Sequence, residues 1–178
     1  ADLPEIQGHL ETALEENCKL FDAFSALIRV MMMQGRIKEA RERFEQLPED
    51  QAERVNVKLL RLRVERREAR TREEVVGIRQ QLIDLLQEHP LDEEIWWSMM
   101  NWVTEDEAWQ DARRAFEYFP KQLMHLAVLR ARRLEILALA GEPFESMEND
   151  WHELLKDFPE NLDVYLTWFD TLMKYEAL

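Results

Sequence analysis

The sequence is poor in the residues that make bridges, turns and membrane spans. Its one cysteine, Cys18, excludes an intrachain disulfide, and no N-x-S/T sequon occurs. Both absences fit a reducing intracellular compartment. Cys18 reads as a small helix residue, because no histidine–cysteine pattern beside it marks a nucleophile. Only 4 glycines and 6 prolines are present, which disfavours many short strands joined by tight turns and favours long helices. No apolar run approaches about 18 residues, so no transmembrane helix is expected. No secretory signal pattern is visible either. Lacking an initial methionine and ending within a helical pattern, the sequence is expected to be part of a longer protein, with any targeting segment outside it.

Basic residues are also the minority, 23 against 37 acidic, for a formal charge of −14. A surface this acidic repels phosphate backbones and excludes general nucleic-acid binding by the whole molecule. The charge is uneven. Residues 52–79 hold 9 basic and 5 acidic residues, whereas residues 80–178 hold 8 and 21. The 46% apolar and 34% charged content indicates a folded chain. Its length suits one domain that buries roughly 70% of its unfolded surface.

Chemistry-bearing patterns are missing as well. His152-Glu153 lacks the second histidine of a zinc-binding H-E-x-x-H. The other histidines, His9, His89 and His125, are scattered, and the four isolated glycines make no phosphate loop. Ser25, Ser98 and Ser146 lie in helical patterns rather than in G-x-S-x-G. The acidic run Glu105-Asp106-Glu107, with Asp111 beyond it, lacks the spacing and turn glycine of a calcium loop. No catalytic, metal or cofactor-binding residue is assigned, and no enzymatic role is expected.

What the chain does contain is repetition. Residues 40–48 read A-R-x-x-F-E-x-x-P, and the same pattern returns 72 residues later at 112–120. Weaker copies end at Pro90 and Pro159, and each copy carries a large apolar residue four places before its proline: Phe44, Leu86, Phe116 and Leu155. A helix-then-proline unit that recurs predicts an α-α superhelix of stacked antiparallel helix pairs.

Apolar periodicity predicts about 9–10 helices in units over 20–48, 51–90, 92–120 and 121–159, plus a terminal helix over 162–175. In the first unit Phe24, Leu27, Ile28 and Met31 follow helical spacing, Gly35 breaks the helix, and Ala40, Phe44 and Leu47 share the face of a second one. A single long helix is expected over 51–70, with apolar stripes on two sides. Thr71 and Glu74 form a capping box for a helix over 72–88. Thr104 is expected to cap a helix over 105–119, Gly141 to stop one over 121–140, and Asn161 to cap the last. Proline spacings of 42, 30 and 39 residues depart from the roughly 34 of a regular tetratricopeptide array.

Trp96-Trp97 and Trp102 followed by Ala112-Arg113-x-x-Phe116-Glu117 resemble the half-a-tetratricopeptide (HAT) repeat, which pairs an aromatic first helix with an A-R-x-x-F-E second helix. Val164 to Phe169 looks like the first helix of another such unit. The first unit, with Leu27-Ile28, Gly35-Arg36 and Ala40…Phe44…Leu47, is also similar to a pentatricopeptide repeat. A tetratricopeptide-like pattern covers about residues 20–175, and the specific HAT motif about a third of that. The resemblance implies a right-handed solenoid and a non-enzymatic scaffold that assembles RNA-processing particles through protein contacts, in the nucleus. An adaptor or chaperone for a secreted or assembled client, in the cytoplasm, is the tetratricopeptide-type alternative.

Candidate contact residues follow. Trp97, Met100 and Trp102 lie on a helix apolar on nearly all sides, and tryptophan is enriched at interface hot spots. Met31-Met32-Met33 cannot all share one face, so one is expected at the surface. Arg54, Lys58 and Arg61 share one face of the basic helix, and Arg63, Arg67 and Arg70 another. These offer a site for an acidic peptide or for RNA phosphates, although aromatic residues for base stacking do not interleave with them. Arg61, Trp97 and Arg130 are expected on the concave side, formed by first helices. Leu166, Phe169 and Leu172 on the terminal helix are expected to drive homodimerisation.

Overall fold

The computed structural model describes residues 3–16 and 21–176; Cys18 lies outside them. Along the described residues the protein is all-α, with no strand. The helices are α1 (Leu3–Glu16), α2 (Phe21–Met33), α3 (Ile37–Glu45), α4 (Glu49–Ala52), α5 (Val55–Glu68), α6 (Arg72–Glu88), α7 (Glu93–Glu105), α8 (Trp109–Phe116), α9 (Ala127–Leu139), α10 (Phe144–Asp157) and α11 (Leu162–Glu176).

The expected continuous helix over 51–70 is instead α4 followed by α5. Residues 49–54 offer one apolar side chain, Ala52, so no apolar stripe carries a helix across them: α4 is a single turn, and the chain steps out to an extended conformation at Arg54 (φ −66°, ψ 139°). The helix expected from residue 121 begins as a 3-10 turn (Lys121–Leu123), and α9 starts only at Ala127.

Three helix pairs, α2–α3, α7–α8 and α9–α10, share one turn. In each, a residue with positive φ follows the first helix: Gly35 (74°), Glu107 (52°) and Gly141 (80°). The next amide reaches back five residues: Arg36 N to Met31 O (2.9 Å), Ala108 N to Val103 O (2.8 Å) and Glu142 N to Leu137 O (3.0 Å). This left-handed cap satisfies carbonyls that the helix end would leave bare. Thr104 is therefore not a cap. It lies inside α7, and its hydroxyl donates back to Met100 O at 2.7 Å; the reversal occurs at Glu107, and Ala108 precedes α8.

The α5–α6 connection uses the predicted capping box. Thr71 N donates to Glu74 Oε2 (3.0 Å), and Glu74 N donates to Thr71 Oγ1 (3.2 Å). Asp92 caps α7 by accepting from Glu94 N and Ile95 N. Asn161 caps α11 by accepting from Val164 N at 3.2 Å.

The chain divides into two compact units, residues 1–82 and 83–178, with the division inside α6. In the first, α2 packs on α1 and α3, and α5 on α3 and α4. Its core gathers Phe24, Leu27, Ile28 and Met31 with Ala40, Phe44, Val57, Leu60 and Val64. Phe24 and Phe44 meet edge-on at 5.3 Å. Each of these large side chains contributes roughly 1.5–3 kcal/mol by leaving water. In the second unit α7 packs on α8 and α9, and α9 on α10 and α11. Its core includes Ala127, Ala131, Leu134 and Ala138 with Met147, Trp151, Leu154 and Val164.

Candidate protein-binding surfaces

The tryptophan-rich helix α7 turns most of its candidate residues inward. Trp96 is fully buried: its ring stacks on Phe116 (6.1 Å, 16°) and meets Phe119 edge-on (4.8 Å), and its Nε1 donates to Pro90 O at 2.8 Å. The proline that follows α6 thus supplies the acceptor for a side chain of α7. Met100 is fully buried and Trp102 is 7% exposed, so both are committed to packing rather than to a partner. Trp97 is half-buried and keeps accessible surface. The Met31–Met33 triplet divides as its spacing demands, with Met31 in the core, Met32 partly buried and Met33 exposed.

Lys58 with Arg61, and Arg63 with Arg67, lie on α5 at the expected spacing, whereas Arg54 is its N-cap in extended backbone and Arg70 lies beyond its end. Lys58 pairs with Glu53 at 2.8 Å, and the Arg61 guanidinium lies 5.5 Å from the Phe44 ring centroid. Arg63 is half-buried and Arg67 exposed.

A cleft of about 640 Å³ opens between α3, α5 and α6, lined by Lys38, Arg41, Glu65, Glu68, Arg70 and Glu74, with Gly77 and Ile78 among the other lining residues. Arg41 pairs with Glu68 at 3.0 Å. Burial pushes the Glu65 carboxyl above the ordinary carboxylate range, against the opposing pull of Arg61 and Arg41. Glu74 is held below that range because the amides of Arg70 and Thr71 donate to it. Sequence spacing gave no warning of this cleft, since Lys38 and Arg41 come from a different helix pair than the acids facing them.

Arg130, expected on a binding face, is an internal clamp. It is 3% exposed and reaches Asp157 (3.1 Å) and Glu153 (3.4 Å) on α10. Beside it, Arg133 lies over Phe116 and Phe119 and faces Asp150 at 3.8 Å; burial lowers its pKa. Buried Glu135 takes Arg132 of its own helix and Lys174 of α11, the latter at 2.8 Å. Arg130 and Arg133 thus hold α10 on α9, the Glu135–Lys174 pair holds α11 there, and these arginines are poorly placed to meet a ligand.

The terminal helix presents the largest apolar display among the described residues. Leu162, Tyr165, Leu166, Phe169 and Met173 of α11 have between 37% and 68% of their surface exposed, while Val164 and Thr171 on the opposite side are buried. Leu166 and Phe169 thus stand in the open as the sequence suggested, Leu172 is half-buried, and Leu162, Tyr165 and Met173 extend the patch. Their i, i+3, i+4, i+7 spacing was readable in the sequence.

No described helix is long and apolar enough to cross a membrane. Among the described residues no three His, Cys, Asp or Glu gather as a metal-binding group. Compared with protein-family models and with curated proteins, the chain matches none.

Proposed function

We propose that the chain is a non-enzymatic helical-repeat scaffold that holds a protein or peptide partner. The observation that carries this reading is the continuous apolar face of α11, five large side chains in the open on a highly charged molecule. Contiguous apolar surface of this kind marks interaction sites far more than scattered single residues do. Supporting it is the helix pair itself, built three times with one turn geometry, the modular construction from which stacked, right-handed repeat scaffolds are made. The A-R-x-x-F-E motifs and their resemblance to HAT repeats make assembly of an RNA-processing particle the setting of this reading.

RNA contact through α5 has less support. Lys58 and Arg61 are turned to neighbours within the protein, and Arg54 and Arg70 fall outside the helix.

The test is affinity capture from the source organism with and without nuclease, scored by mass spectrometry. The reading expects a discrete, nuclease-resistant set of proteins enriched in ribonucleoprotein components. A set without such components removes the RNA-processing setting. Capture that vanishes with nuclease, or falls steeply with salt, replaces the scaffold by an RNA-binding module.

A further inference from the structure

In the cleft between α3, α5 and α6 the acids are engaged and most of the cations are not. Glu68 holds Arg41 at 3.0 Å. Glu74 Oε2 accepts from the amides of Arg70 (2.7 Å) and Thr71 (3.0 Å). Glu65, the third acid, is half-buried, and desolvation favours its uncharged form. Of the three cations that line the cleft, Arg41 alone is in an ion pair. Lys38 is exposed and makes none among the described residues, and exposed Arg70 attracts Glu74 only at longer range. Arg67 and Arg72, exposed on either side of Arg70 in sequence, make no ion pair among the described residues either. The charge left free at this cleft is therefore positive, on a molecule whose formal charge is −14.

The wall contributed by α6 contains Gly77, in the middle of the helix. Glycine weakens a helix interior relative to alanine, yet no internal packing requires one here: a Cβ built at Gly77 meets no atom within 4 Å. The bare backbone lines the cleft beside Ile78 and Gln81, and it leaves room for another chain to lie close against α6. The volume of about 640 Å³ is that of a ligand site. All of the lining residues fall between positions 38 and 81, with described helices before and after them in the chain. The cleft is thus built by the middle of the fold.

A continuous phosphate backbone fits it poorly. Glu65, Glu68 and Glu74 would repel phosphates, and no aromatic residue among those described lines the cleft to stack on a base. A peptide can set carboxylates at Lys38 and Arg70 and pass uncharged backbone along the acids. From these observations we infer that the cleft binds an acidic, extended segment of a partner protein, with its carboxylates on Lys38 and Arg70 and its backbone against Gly77. This gives the scaffold reading a second contact of stated chemistry and rests on that reading. The exposed ion pairs select the partner and bring it in at low salt, and salt weakens them.

The test is a fluorescence-anisotropy titration of the full chain with three labelled probes. One is a short peptide alternating glutamate with glycine and serine, the second has glutamine in place of each glutamate, and the third is a single-stranded RNA oligonucleotide. The glutamate peptide is expected to bind about tenfold tighter than the other two. Lys38→Glu with Arg70→Glu should abolish that gain. Arg29→Glu with Lys121→Glu, the same charge change at exposed positions that do not line the cleft, should keep it. Gly77→Leu should weaken binding while Tm holds or rises. All five positions are exposed, so circular dichroism should be unchanged in each variant. Equal binding of the glutamine peptide, tighter binding of the RNA, or binding untouched by Gly77→Leu overturns the proposal. An equal loss in the two double variants overturns it too, since net charge alone would then explain the binding. So does self-association of the chain at micromolar concentration that Lys38→Glu with Arg70→Glu abolishes, which assigns the cleft to the acidic unit of a second copy. Should that double variant retain the full captured partner set from the source, the scaffold reading stands on another surface and only this docking site falls.

Discussion

Glu107 occupies a backbone conformation that suits glycine. Its φ of 52° is the only positive value at a non-glycine residue among those described, and it stands 72 residues after Gly35, the interval that separates the two A-R-x-x-F-E copies. A side chain in the left-handed region costs about 1–2 kcal/mol, offset in part by the greater unfolded-state entropy of glycine. Glu107→Gly is therefore expected to raise stability by about 0.5–1 kcal/mol, read as a higher urea midpoint with an unchanged m-value; an unchanged or lowered midpoint would contradict the strain argument. The adjacent tryptophans differ as sharply. Trp96→Ala, which empties a closed aromatic site and orphans the Pro90 carbonyl, should cost about 3–5 kcal/mol. Trp97→Ala should cost less than about 1.5 kcal/mol, because Trp97 already keeps contact with water. Matching losses in thermal melts of the two variants would show the burial contrast to be wrong.

Among the elements, α5 shows how tertiary context redirects a charged helix. Its apolar residues Val57, Leu59, Leu60, Leu62 and Val64 are all buried, so the charged residues between them are drawn toward neighbouring helices. Glu65 records this as a carboxyl whose protonated form the fold prefers. A folded-state pKa above the ordinary value adds stability that is complete below the ordinary carboxylate value. That stability is lost as pH rises through the elevated one. Glu65→Gln keeps the uncharged shape at every pH. The variant is therefore expected to melt higher than the parent at pH 7, the gap closing below about pH 4.3. A lower melting temperature at pH 7 would mean that attraction to Arg61 and Arg41 outweighs burial.

At the scale of the molecule, the two units carry separate cores, and all 6 tryptophans lie between residues 96 and 168. Tryptophan emission therefore reports on the second unit alone, whereas circular dichroism reports on both. Leu27→Ala, in the core of the first unit, should cost about 2–5 kcal/mol. It is expected to move the dichroism transition to lower urea while the fluorescence transition lags behind it, the mark of unfolding in more than one step. Coincident curves in this variant would show one cooperative block.

Helix identity and most helix ends were written in the chain itself, because they rest on local physics. Periodic apolar residues, a Thr71–Glu74 capping box, Asn161 as an N-cap and glycines at 35 and 141 act through neighbours a few positions away, and each is used as the sequence suggests. That Leu166 and Phe169 share a helical face was legible too, but apolar content alone does not set exposure, since α5 is apolar on two sides and buries both. The tertiary structure alone decided which of two like residues faces inward. Trp96 and Trp97, or Arg61 and Arg67, differ only in the direction that packing gives them, and direction depends on helices far away in sequence. It also placed Arg130 between the acids of α10, split the basic helix at Arg54, and left the turn before α8 to Glu107. Each of these is set by how distant surfaces fit together, a quantity that residue spacing does not contain.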